Sequence, residues 1–143
     1  MSLFVLIEGG MVVTRREIRE HLFLMLFRKE FHDNHDLMEQ VKIYLSDLKE
    51  PTKEEGLYLN NRFQAILEKL TSIDDLLSEA ASGWTLGRMG KVELTILRLA
   101  VFEMKFDEEM PVKVAINEAV ELAKVFGGDD TPGFINGVLA KLA

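Results

Sequence analysis

The sequence predicts an all-α protein of about seven helices, and three observations carry that expectation. Apolar residues recur at helical spacing through most of residues 14 to 143. Helix-start signals recur with them: Thr-x-x-Glu at Thr14–Glu17 and at Thr52–Glu55, and proline at the starts marked by Pro111 and Pro132. An alternating strand pattern is missing beyond the short apolar run Leu3–Ile7, and no internal repeat is visible. The 143 residues, 48% hydrophobic and 29% charged, suit one globular domain or two small bundles sharing a core.

The elements follow in order. Residues 1–13, MSLFVLIEGGMVV, stand apart as an N-terminal extension, or as a stretch upstream of an alternative start at Met11. Their apolar run is far shorter than the roughly 20 residues a bilayer needs, and it lacks the charged start and cleavage site of a signal peptide. A short strand pairing with a neighbouring chain is the other reading. The helical domain is expected over residues 14–143. Thr14 caps the first helix with Glu17 in the capping-box position, and Ile18, Leu22, Met25 and the stem of Lys29 share one face. A second helix is expected from about Asp36 to Leu48, with Leu37, Val41, Tyr44, Leu45 and Leu48 inward. Pro51-Thr52 starts a third, carrying Leu59, Phe63, Ile66, Leu67 and Leu70. Ser72-Ile73-Asp74-Asp75 reads as the cap of a short fourth helix ending near Gly83. Trp84 reads as an anchor between the fourth and fifth helices. The fifth covers roughly Gly90 to Lys105 and packs Val92, Ile96, Leu99, Ala100 and Met104. The sixth runs from Pro111 to Phe126, with Gly127 as the residue past its end. Thr131 is expected to cap the seventh, in which Gly133 and Gly137 permit close approach of a neighbour.

Composition excludes several functions. There is no cysteine, so no disulfide, thiolate metal site or cysteine nucleophile is possible, which suits a reducing cytoplasm. His32, Asp33, His35 and Asp36 look like metal ligands, but the segment reads as a solvated turn with too few partners for zinc. The stretch GWTLGRMGKV fails as a phosphate loop: Thr85 stands where glycine is required, Val92 replaces the hydroxyl, and no strand precedes it. Glu118 and Glu121 share a helix side without a nucleophile or oxyanion donors beside them. No catalytic residue, metal or cofactor is therefore expected.

A net charge of -7 argues against a broadly basic nucleic-acid surface but permits a local patch. Arg15, Arg16 and Arg19 form one. Cations at a helix N-terminus are disfavoured by a few tenths of a kcal/mol or more, so helix stability does not explain them. Ordinary surface charge is one reading. Phosphate contact is the other, since guanidinium groups bind phosphate bidentately. Phe27, two turns further along, offers a face for a base.

The segments TRREIREHLFLMLF, GKVELTILRLAVFEM and PVKVAINEAVELAKVFGGDDTPGFINGVLAKLA, in that order, resemble the NusB family of bacterial transcription antitermination proteins. KVAINEAVELAK and FINGVL are the most specific; residues 36–82 match only in helical pattern. The resemblance implies two perpendicular helical bundles, with three helices in one and four in the other. It implies binding of the single-stranded boxA element of ribosomal RNA leader transcripts together with NusE, a small-subunit ribosomal protein. The partners it implies are an RNA polymerase antitermination complex with other Nus factors and, in some members, a homodimer. It assigns RNA contact to Arg15, Arg16 and Arg19, and base stacking to Phe27 in the place of a tyrosine. Lys113 falls near the RNA path, Phe134 is a further stacking candidate whose alternative is core packing, and Glu93 faces NusE. Glu17 departs from the most basic versions of the motif. The alternatives are a NusB-like domain serving ribosomal RNA processing or modification, and a structural homodimer. A modifying enzyme would need the glycine-rich methyl-donor loop and the second domain that this sequence lacks.

Overall fold

The computed structural model describes residues 14–48, 52–81 and 85–143. The readings placed on residues 1–13, Pro51, Gly83 and Trp84 lie outside them. Seven α-helices and two 3-10 turns account for the regular structure of the described residues, and no strand occurs among them. The chain divides into two compact units, the first ending at Ala65 and the second beginning at Ile66.

The first unit holds α1 (Arg15–Phe27), a 3-10 turn (Arg28–Glu30), α2 (Asn34–Asp47) and most of α3 (Lys53–Glu68). Both sequence-predicted capping boxes form. Thr14 is extended; its hydroxyl accepts from the Glu17 amide at 3.1 Å, and the Glu17 carboxylate accepts from the Thr14 amide at 3.1 Å. Thr52 and Glu55 repeat the exchange at 2.6 and 3.1 Å. The second helix begins at Asn34 rather than at Asp36. Asp33 is the reason, because its carboxylate accepts from the Asp36 amide at 2.9 Å and starts the helix earlier. Ile18, Leu22, Met25, Leu37, Val41, Leu59 and Phe63 are all buried, as their spacing predicts.

The second unit holds α4 (Leu70–Ala80), a 3-10 turn (Leu86–Arg88), α5 (Lys91–Phe106), α6 (Val112–Phe126) and α7 (Thr131–Ala140). The Ser72 cap is not realised. The Ile73 amide is bonded to the Lys69 carbonyl at 2.9 Å, so the helical ladder is already running there, and Ser72 and Asp75 lie inside α4. The fifth helix is the central one, packed against α4, α6 and α7. Every residue from Leu94 to Met104 is buried, not only the predicted apolar stripe. Two of its buried polar members are bonded as follows: the Thr95 hydroxyl donates to the Lys91 carbonyl at 2.7 Å, and Arg98 grips Asp74 of α4 through two bonds of 2.9 and 3.0 Å.

Two glycine readings change. Gly127 does end α6, but its φ of -102° is not left-handed. Closeness requires it instead, since a Cβ there would lie 2.6 Å from the side chain of Thr131. Gly133 and Gly137 do not serve close packing. Both are exposed, and a Cβ at either would meet nothing within 4 Å. Gly137→Ala is therefore expected to be neutral or to stabilise the fold by up to about 1 kcal/mol, as read by thermal unfolding. A loss of stability would show that the position is crowded after all.

Candidate nucleic-acid interface

In the first unit, α1 carries the arginines. Arg15 and Arg16 are exposed, but Arg19 is buried, with 4% of its surface accessible. The expected trio of exposed cations is thus a pair. Arg19 falls between Ile18 and Leu22 and one turn before Phe23, all buried, so the apolar face of α1 carries it inward. Arg15 and Arg16 are the cations that α1 presents to solvent.

Phe27 is half-buried within a row of three rings. It stacks on Phe23, with centroids 5.6 Å apart and planes at 14°, and meets the edge of Phe31 at 5.2 Å. Phe31 is 57% exposed, so more aromatic surface is offered there than at Phe27. Helical spacing misses it because it follows the 3-10 turn, off the α1 register. Arg28 turns back, donating to the Leu24 carbonyl at 2.6 Å and lying 4.5 Å over the ring of Tyr44. The Tyr44 hydroxyl shares a 2.6 Å hydrogen bond with Nδ1 of His21, tying α2 to α1. Burial pushes the Tyr44 phenol above its usual 10.0; Arg28 opposes this and Glu20 adds to it. Tyr44 therefore stays protonated and braces the helix that presents Arg15 and Arg16.

In the second unit, Lys113 is exposed in the first turn of α6. Phe134 and Glu93, assigned to different partners by the resemblance, meet at one groove of about 440 Å³. Met89, Gly90, Asp130 and Thr131 complete its lining, and Lys113 does not contribute. Glu93 is the third residue of α5, and its carboxylate folds back over Gly90, where any Cβ would collide with it. The Thr131 hydroxyl accepts from the Gly128 amide at 3.0 Å and donates to Oε1 of Glu93 at 3.1 Å. Sequence reasoning does not reach Asp130 and Thr131 as groove residues. Their signal is present in GGDDTP, where the sequence reads as a Thr131 cap; in the structure Asp130 takes the N-cap position without a side-chain capping bond, and Thr131 is the first residue of α7. Asp33, one of the four metal-like residues, uses its carboxylate on the α2 cap. Among the described residues no helix is long and apolar enough to cross a membrane.

The NusB family model matches residues 16–143, a span that runs through both units. The chain belongs to the NusB family. It is 62% identical over 130 residues to the transcription antitermination protein NusB of Lachnoclostridium phytofermentans, covering 91% of this chain and 98% of that one. The solved structure of T. maritima NusB matches with a TM-score of 0.81 at 35% identity, covering 93% of this chain and 92% of that one. A chain of the crystal structure of the antitermination factors NusB and NusE in complex with double-stranded RNA matches with a TM-score of 0.72. It is 24% identical and covers 88% of this chain and 92% of that one, a likeness of fold. The family model begins one residue after Arg15, so α1 falls almost wholly within the NusB match, exposed Arg16 and buried Arg19 included.

Proposed function

We propose that this protein is an RNA-binding adaptor in transcription antitermination. It binds boxA of ribosomal RNA leader transcripts together with NusE, within a complex of RNA polymerase and other Nus factors. Membership of the NusB family carries the reading. The exposed Arg15 and Arg16 on an otherwise acidic chain give it physical content. Both stand where the helix dipole disfavours a cation, and the capping Glu17 offsets part of that cost. A phosphate is the ligand that would make such an arrangement favourable.

In this reading residues 14–143 form one NusB domain. Arg15 and Arg16 hold phosphates, while Arg19 shapes α1 from within. Phe27 and Phe31 offer ring surface to bases. Lys113 adds a cation to the RNA path and Phe134 a ring, and Glu93 meets NusE. A remainder of net negative charge limits nonspecific RNA binding and suits a basic ribosomal partner. The protein acts in the cytoplasm by holding partners together, not by catalysis.

The test is binding of a boxA RNA and a scrambled RNA of equal length, with and without NusE, at several salt concentrations. The expected result is tighter binding of boxA, further tightening by NusE, and affinity that falls as salt rises. Equal affinity for both RNAs with no response to NusE would sink the proposal.

A further inference from the structure

We infer that Thr131 is a positioning residue for Glu93, holding its carboxylate in the orientation that the protein partner meets. The inference rests on the proposed role of Glu93 at the NusE face. Four residues of the second unit make the device: Gly90, Glu93, Thr131 and Gly127.

The hydroxyl of Thr131 has one proton to give. The Gly128 amide donates to its oxygen at 3.0 Å, so that proton goes to the Glu93 carboxylate at 3.1 Å. Thr131 is itself 5% exposed and fixed by its surroundings. The absent side chain of Gly127 lets it sit against the α6–α7 corner, where a Cβ would come within 2.6 Å of the Thr131 Cβ and Cγ2. On the other side, the absent side chain of Gly90 makes room for the second carboxylate oxygen, Oε2, and a Cβ there would stand 3.0 Å from Cδ of Glu93.

Two glycines at helix corners thus admit a buried hydroxyl and a folded-back carboxylate into contact. Neither helix start requires this. The Gly128 amide would be satisfied by Thr131 without Glu93, and the first turn of α5 would form with an unpinned glutamate. What the contact adds is a Glu93 side chain held in one orientation at the groove, with Oε1 bonded to Thr131 and Oε2 packed against Gly90. Freezing a long side chain before binding removes a cost that association otherwise bears.

The test measures NusE affinity by calorimetry for the wild type, Thr131→Val, Thr131→Ser, Gly90→Ala and Glu93→Ala, and for Thr131→Val combined with Glu93→Ala. Valine keeps the shape of threonine and loses the donor, while serine keeps the donor. Thr131→Val is expected to weaken NusE binding by about 2- to 10-fold, the equivalent of one side chain to be frozen. Thr131→Ser should stay within twofold of the wild type. Gly90→Ala, which displaces the carboxylate while leaving Thr131 intact, should weaken binding like valine and serves if the valine variant folds poorly. Added to Glu93→Ala, Thr131→Val should cause no further loss. An equal loss in both backgrounds overturns the positioning role and leaves Glu93 at the interface. Unchanged affinity on Glu93→Ala removes Glu93 from the interface, and the positioning role falls with it.

Discussion

Replacing Arg15 and Arg16 together with alanine is expected to weaken boxA binding roughly 30-fold, taking about 1 kcal/mol for each guanidinium–phosphate bond removed. The same variant should flatten the salt dependence. Each phosphate held on a single strand contributes a slope of roughly 0.7 in log affinity against log salt, so two contribute up to about 1.4. The fold should not suffer. Both side chains are exposed, and both stand at the helix end where the dipole disfavours cations. Arg19→Ala is expected to do the opposite. It empties a site with 4% of its surface accessible, and truncating a long buried side chain costs about 2–5 kcal/mol. Binding would fall through loss of folded protein, with the salt slope of the remaining folded fraction unchanged. Urea unfolding separates the two cases. Wild-type affinity and slope in the Arg15/Arg16 variant would return the pair to ordinary surface charge.

That contrast locates what was legible in the sequence. Helix number, order and most starts were, because capping is a local exchange. Thr14 with Glu17, and Thr52 with Glu55, satisfy one another within a single turn. Ser72 misleads because its signal is equally local, yet the turn before it has already supplied the Ile73 amide with a partner. The glycines show the same limit. Spacing marks Gly133 and Gly137 as points of close approach, but only tertiary placement decides, and it leaves both open while crowding Gly90 and Gly127. At the candidate site, residue type identifies the arginines, but position on the helix face divides them. The pairing of Glu93 with Thr131 joins residues far apart in sequence, through a hydroxyl that the sequence offers only as a helix cap. No local pattern holds that information.

Removing one partner of the ion pair inside the second unit is expected to cause a large loss of stability without touching RNA or NusE. Arg98 of α5 grips Asp74 of α4 at 2.9 and 3.0 Å, with side-chain exposures of 10% and 28%. Removing one partner of a buried pair costs about 3–5 kcal/mol, because the other charge stays buried without that partner. Partial solvent access at Asp74 lowers that figure, so Asp74→Ala is expected to cost about 2–4 kcal/mol. Asp74→Asn should cost less, since an amide oxygen still accepts one guanidinium bond. Arg98→Met combined with Asp74→Leu should recover most of the loss, because no buried charge is left over. The consequence reaches the candidate site through α5. That helix carries Glu93 in its first turn and is buried from Leu94 to Met104, and the Glu93–Thr131 hydrogen bond is made to α7, not to α4. Asp74→Ala should therefore lower the urea midpoint while leaving the NusE affinity of the folded protein within about twofold, well under the 1.4 kcal/mol that a tenfold change represents. A stability loss under about 1 kcal/mol would place the pair with ordinary surface salt bridges. A loss of NusE affinity in fully folded protein would mean that α5 shifts as a body when its grip on α4 is released.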